Sequence, residues 1–300
     1  MPESSVARVG GTPFLASAVE LLKPITWFPP MWAFGCGVVA SGVALDARLP
    51  FLLGGILLAG PLVCGTSQVV NDWFDRHVDA INEPHRPIPS GRVSVRAGMI
   101  LALSWTLLSV AISALLGPWV LVAAIIGLAL AWAYSAPPFR LKRNGWYGNA
   151  AVGVCYEGLP WFTAVAAMTG TLPSQENLVM LLLYSLGAHG IMTLNDFKSV
   201  EGDRAMGLRS LPAALGPQKA AYLACAVMLI PQVIVALLLW SWVLPTFAAA
   251  VAAVTLCQVA LMPRLLSDPL RFAPWYNGTG IVLYVSGMLI TAFALRGLVL

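Results

Sequence analysis

Two strings carry much of the chain's negative charge: Asn71-Asp72-Trp73-Phe74-Asp75-x-x-x-Asp79 and, 124 residues on (71 to 195), Asn195-Asp196-Phe197-Lys198-Ser199-x-x-x-Asp203. With Glu83 and Glu201 they hold seven of the thirteen Asp and Glu, so the spacing marks an internal repeat that spends scarce carboxylates twice. On a helix turning about 100° per residue, Asn71, Asp75 and Asp79 form one ridge and Asp72 lies within about 20° of Asp79, which puts every carboxylate on one face. Like charges so placed repel even in water and repel more strongly beside lipid, so the face calls for a cation. Asp72 and Asp79 stand about 10.5 Å apart along the helix, too far for one Mg²⁺ with ligands at about 2.1 Å. The spacing suits two ions or more, bridged by an oxygen-rich ligand. Because Mg²⁺ takes one or two carboxylates and completes its shell with water and phosphate, the simplest such ligand is a diphosphate. The expected metal ligands are Asn71, Asp72, Asp75, Asp79, Asn195, Asp196 and Asp203, and the five aspartates are the expected catalytic residues.

Each motif is followed by a basic turn, Arg86-Pro87-Ile88-Pro89 and Arg209-Ser210-Leu211-Pro212. Arg86, Arg92, Lys142, Arg143, Lys198, Arg204 and Arg209 fall around the motifs and are candidate partners for phosphate oxygens. Taken singly, each could instead do no more than set membrane topology.

The elements that must position these groups follow from composition. The chain has 300 residues, 59% of them hydrophobic and 10% charged, with a mean hydropathy of +0.81. A water-soluble surface needs about 25% charged residues, so this is a multi-span membrane protein. Apolar runs at 26–45, 51–72, 97–116, 119–136, 149–169, 178–196, 219–240, 243–263 and 276–297 predict nine helices. Pro29, Pro30, Pro61, Pro160 and Pro231 predict kinks. All but two of the seventeen Lys and Arg (Arg48 and Arg296) lie at the N-terminus or in alternate loops. That pattern predicts a cytoplasmic N-terminus, with both acidic motifs on the cytoplasmic side. The net charge of +4 is too small to suggest a nucleic-acid partner, and five cysteines without a Cys-x-x-Cys pair argue against disulfides or structural zinc. Residues 1–20 lack the features of a signal peptide and are expected to form a flexible cytoplasmic segment, with 21–300 a single membrane domain.

The paired motifs on a chain of nine apolar runs resemble the UbiA-type intramembrane prenyltransferase superfamily. Residues 71–91 (NDWFDRHVDAINEPHRPIPSG), 195–204 (NDFKSVEGDR) and 132–143 (WAYSAPPFRLKR) are similar to its chlorophyll synthase branch. Residues 155–163 (CYEGLPWFT), 187–196 (GAHGIMTLND) and 274–280 (PWYNGTG) resemble the bacteriochlorophyll synthases within that branch. The resemblance runs from about Glu20 to the C-terminus. It implies an all-α bundle of nine transmembrane helices that esterifies the C17 propionate of a bacteriochlorophyllide with geranylgeranyl or phytyl diphosphate. It also implies Mg²⁺ dependence, release of diphosphate, and residence in a bacterial inner (intracytoplasmic) membrane. Its expected partners are the two substrates and membrane lipid, while proteins of pigment synthesis or assembly are left open. Ser199 stands where the first motif has Asp75, which the branch resemblance makes a shared trait. Metal binding by the second motif then rests on Asp196 and Asp203, with Asn195 assisting.

The propionate is already ionised at pH 7, so the difficult step is departure of diphosphate. Trp73, Phe74, Tyr134, Tyr156, Trp161 and Phe197 could shield a developing cation, or simply pack the bundle. Glu157, inside an apolar run, is either a functional group or a protonated, backbone-bonded one. His189 is either an axial ligand of the pigment's magnesium or a core histidine. The stretch 82–91, dense in Pro, Gly and Asn, reads as a lid that brings Arg86 to phosphate, or as a rigid connector. Two rivals share parts of this pattern: an aromatic-ring prenyltransferase of the same superfamily, and a divalent-cation transporter, which would bind nearer mid-bilayer.

Overall fold

A computed structural model describes residues 14–205 and 207–299, and these are helical almost throughout. Within a bilayer a backbone must satisfy its own polar groups, and a helix does this within one segment. The helices are α1 (Phe14–Leu22), α2 (Phe28–Ala40), α3 (Leu49–Asn82), α4 (Val95–Leu116), α5 (Pro118–Ser135), α6 (Gly145–Thr169), α7 (Gln175–Ala205), α8 (Pro217–Ser241), α9 (Pro245–Ser267) and α10 (Pro269–Val299). Proline, whose missing N–H costs nothing in a first turn, opens α5, α8 and α9. Ser94, Asn144 and Ser174 cap α4, α6 and α7 by accepting from backbone N–H groups one turn on.

Among the described residues, eight helices, α3 to α10, are long and apolar enough to cross a membrane. The run expected at 26–45 yields only α2, 13 residues or about 20 Å of rise. Pro29 and Pro30 sit in its first turn and so start the helix where a kink was expected. Gly42, at φ 69°, takes the chain out beyond its end. Of the N-terminal segment, residues 1–13 lie outside the described residues, and 14–20 belong to α1.

Two expected kinks take a specific form. Pro61 lies in a π-helical turn, Leu58–Cys64, inside α3, and Pro160 follows a second one, Val154–Gly158, inside α6. Each widened turn absorbs a hydrogen bond that a proline would break. The largest core cluster joins α2 and α6 to α10. Close approach there depends on small residues: a Cβ at Gly37 would stand 2.7 Å from that of Ala164, and one at Gly190 2.6 Å from the Ala224 carbonyl. Buried amides add specificity, with Gln232 donating to Gln258 at 2.6 Å and Gln258 to the Gly280 carbonyl at 2.6 Å.

Candidate active site

The first motif rides the end of α3, which is unbroken α-helix from Gly65 to Asn82. Asp72 is 1% exposed and accepts from Lys23 Nζ at 2.6 Å and Arg86 Nη1 at 3.3 Å. Arg86 also donates to Asp79 at 3.0 Å and to Glu83 at 2.8 Å, so one guanidinium gathers three carboxylates. Asp75 turns aside to Lys142 at 2.5 Å and Arg140 at 3.5 Å. The cations that this crowded face demands are thus the protein's own. Stranding one such buried charge costs about 3–5 kcal/mol.

These contacts tune the charges outside the membrane. Burial works against the Arg86 guanidinium, but the Glu83 hydrogen bond and the charges of Asp72 and Asp79 outweigh it and hold its pKa above the ordinary value. Its hydrogen bond to Glu83 holds that carboxyl below the usual range. Burial pulls the Lys142 ammonium down, against the opposing pull of Asp75. The stretch read as a lid folds Arg86 onto α3 and is pinned to α1, because Arg92 grips Glu20 at 2.5 and 2.8 Å and the His85 carbonyl at 2.7 Å.

The second motif is built differently. α7 is α-helical to Asn195, tightens to a 3₁₀ turn at Asp196–Ser199, and resumes as Val200–Ala205. Asp196 accepts from Asn149 Nδ2 at 3.2 Å, and Asp203 from Ser199 at 3.0 Å and Ser210 at 2.5 Å. Asn277 of α10 donates to Asn195 Oδ1 at 2.8 Å. Among the described residues, no ion pair reaches Asp196 or Asp203. Lys198 is exposed.

A single loop, 136–144, joins the two motifs. Its Arg140 and Lys142 hold Asp75, while its backbone pairs with the stretch after the second motif: Arg209 N donates to the Arg143 carbonyl at 3.0 Å, and Gly145 N to the Arg209 carbonyl at 2.9 Å. Tyr134 comes just before this loop, in the last turn of α5. Beneath it lies a cavity of about 200 Å³ whose lining includes Asn71, Tyr134, Met192, Gly127, Cys155 and Tyr156. A smaller cavity of about 30 Å³ continues it to Ala123 and Thr163, and the two share Ala59, Val63, Gly127 and Cys155. Both π turns contribute to these walls. The polar residues Ser67, Gln68 and Asn71 lie toward the motif end, and the rest is mostly apolar. The arrangement is an ionic head site above a greasy slot.

The other residues singled out in the sequence divide clearly. Tyr134 and Tyr156 line the cavity. Trp161 is fully buried, bonded to Asn177 at 2.9 Å and stacked on Tyr184. Phe197 is core, and Trp73 and Phe74 pack edge to face in the cluster beside α4. Glu157 is buried with Oε2 unpartnered. His189 is buried with Nδ1 unpartnered, its ring 5.5 Å from that of Trp146. Arg143 and Arg209 are exposed and meet through their backbones, and Arg204 donates to the Ala213 carbonyl at 3.4 Å. Lys23, Arg140, Asn149, Ser210 and Asn277 join the site without having been singled out. The repeat offset was a signal for one of them, since Ser210 is as far after Asp203 as Arg86 is after Asp79.

The donor set suits Mg²⁺, being hard oxygens from aspartates and asparagine amides. No three His, Cys, Asp or Glu among the described residues converge as a cage, and Mg²⁺ needs none where phosphate completes its shell.

The pattern of the UbiA prenyltransferase family matches residues 26–277. The chain is 54% identical over 280 residues to the bacteriochlorophyll synthase 33 kDa chain of Cereibacter sphaeroides, covering 93% of each. It is 40% identical over 290 residues to the chloroplastic chlorophyll synthase of Oryza sativa subsp. japonica, covering 92% of this chain and 76% of that one. Among solved structures, a UbiA homologue from Archaeoglobus fulgidus bound to GPP and Mg²⁺ superposes with a TM-score of 0.69 at 20% identity, covering 89% of this chain and 99% of that one. Fold, motif pair and sequence agree: the chain belongs to the UbiA prenyltransferase family, in its chlorophyll synthase branch.

Proposed function

We propose that this membrane prenyltransferase transfers a geranylgeranyl or phytyl group from its diphosphate to the C17 propionate of a bacteriochlorophyllide. The observation that carries the reading is the joining of both acidic motifs by the 136–144 loop over an apolar slot, in a chain 54% identical to a bacteriochlorophyll synthase chain. The slot takes the isoprenoid tail and the motifs take the diphosphate. Mg²⁺, in two ions held by Asn71, Asp72, Asp75, Asp79, Asn195, Asp196 and Asp203, would neutralise charge building on the leaving oxygen. Lys23, Arg86, Arg140 and Lys142 are already gathered at the same place and can pass from carboxylate to phosphate oxygens as charge-assisted donors. No base is required, since the acceptor arrives as a carboxylate. What the chain contributes is position, charge and exclusion of water from the prenyl carbon.

The short α2 counts as a ninth span in this reading, with the N-terminus and the site on the cytoplasmic face of the bacterial inner membrane. The test is the mass of the pigment made by purified protein from bacteriochlorophyllide and each donor. An esterified pigment that disappears on chelation and returns with Mg²⁺ is expected. A prenylated phenolic acid in place of any pigment ester would reject the assignment.

A further inference from the structure

The two halves of the repeat hold equivalent aspartates with different chemistry. Lys23 lies 49 residues before Asp72 and bonds it, while Asn149 lies 47 before Asp196 and bonds it. Arg86 follows Asp79 by seven residues and bonds it, while Ser210 follows Asp203 by seven and bonds it. Where the first motif has Asp75, the second has Ser199, itself a donor to Asp203. At the two places compared, a cation of the first half has a neutral donor as its counterpart in the second: Ser210 stands at the repeat offset from Arg86, and Asn149 two residues beyond that offset from Lys23. Around the first motif, Asp72, Asp75, Asp79 and Glu83 face Lys23, Arg86, Arg140 and Lys142, and the charges cancel. Around Asp196 and Asp203, which Ser199 links by donating to the Asp196 carbonyl and to the Asp203 carboxylate, only amide and hydroxyl groups donate to the carboxylates.

We propose, resting on the prenyl-transfer reading above, that the second motif takes up a divalent cation on its own, and that the first takes one only together with a diphosphate. A divalent ion entering the first cradle must displace four cationic side chains from the carboxylates they already balance, so it meets no net negative charge there. Diphosphate oxygens receive the displaced cations. The second cradle has negative charge to spare, and Asn149, 4% exposed, orients Asp196 without neutralising it. Asn149 is a positioning residue in this scheme, and its neutrality is its function.

The experiment uses the full chain in detergent with Mn²⁺ as the probe, counted from the free-ion electron paramagnetic resonance signal. About one bound ion is expected with Mn²⁺ alone. Asp203→Asn should abolish it, Asn149→Lys should weaken it by about tenfold or more, and Asp72→Asn should leave it within about twofold. A non-reacting prenyl thiodiphosphate should add a second ion, which Asp72→Asn loses. Size-exclusion profiles and melting curves identify variants that fail to fold. Uptake of two ions without the analogue, uptake only with it, or donor-free uptake that survives Asp203→Asn and is lost in Asp72→Asn would each overturn the order of loading while leaving prenyl transfer standing. No uptake with the analogue, and no turnover, would remove the prenyl-transfer reading itself.

Discussion

The end of α3 and the end of α7 carry one spaced pattern of residues and differ in both backbone and charge. The first keeps its aspartates on an unbroken helix, so Asp72 and Asp79 share a face and one guanidinium can hold both. The second breaks into a 3₁₀ turn at Asp196, so Asp196 and Asp203 draw donors from different directions: Asn149 on α6, and Ser210 beyond α7. The repeat thus keeps the Asn-Asp pair and the distal Asp, replaces Asp75 by Ser199, and differs in what balances the carboxylates. The balance decides whether a carboxylate is held for a metal or lent to a cation.

The largest effects should come from removing either motif's leading carboxylate. Asp72→Ala and Asp196→Ala should each lower kcat by about a thousandfold or more with the protein still folded in the membrane. Pigment-ester yield checks this, and near-normal activity in either variant would end the view that both halves are needed. Next comes Arg86→Ala, which frees three carboxylates at once in the first half. It should cost about ten- to a hundredfold in kcat/KM for the prenyl donor, whereas Ser210→Ala, its counterpart, should cost less than about tenfold. Equal losses would erase the distinction between the halves. Gly127→Phe fills the slot shared by both halves and should raise KM for a C20 donor more than for a C10 donor, as steady-state kinetics with the two chain lengths would reveal.

The smallest effect concerns pH. Arg86 lowers the Glu83 carboxyl below its ordinary value of 4.5. The pair therefore contributes stability that is full above that value and is lost as pH falls through the lowered one. Because Glu83 is partly exposed the contribution is small. Glu83→Gln should flatten the acid side of the melting-temperature profile by no more than about 1–2 °C, and a steeper acid loss in the variant would contradict the pairing.

Much of the site was legible because carboxylates are rare here. With 10% charged residues, seven acids in two strings stand out, and helical periodicity places Asp72 beside Asp79, as one guanidinium bonding both bears out. The basic turn after each motif was also visible, though its alignment misled in one respect. It pairs Arg86 with Arg209, whereas in the fold Ser210 occupies the matching place and Arg209 serves through its backbone. Lys23 and Asn149 carried no signal, since each precedes its aspartate by nearly fifty residues and a lone Lys just past a helix or Asn within one is commonplace. The aromatic residues beside the motifs were ambiguous for a similar reason. A ring adjacent in sequence to Asp72 or Asp196 points elsewhere once the helix turns, and Trp73 and Phe197 pack in clusters away from the slot.

Hydropathy and charge sparsity determined by themselves that the chain is a bundle of membrane helices with two acidic ends, because the penalty for burying charge in lipid leaves few alternatives. Periodicity determined which carboxylates share a face. Only the tertiary structure decided which groups answer them. A buried carboxylate is satisfied by whichever donor packing brings within about 3 Å, and that depends on helix contacts between residues far apart in the chain, which leave no local mark in the sequence.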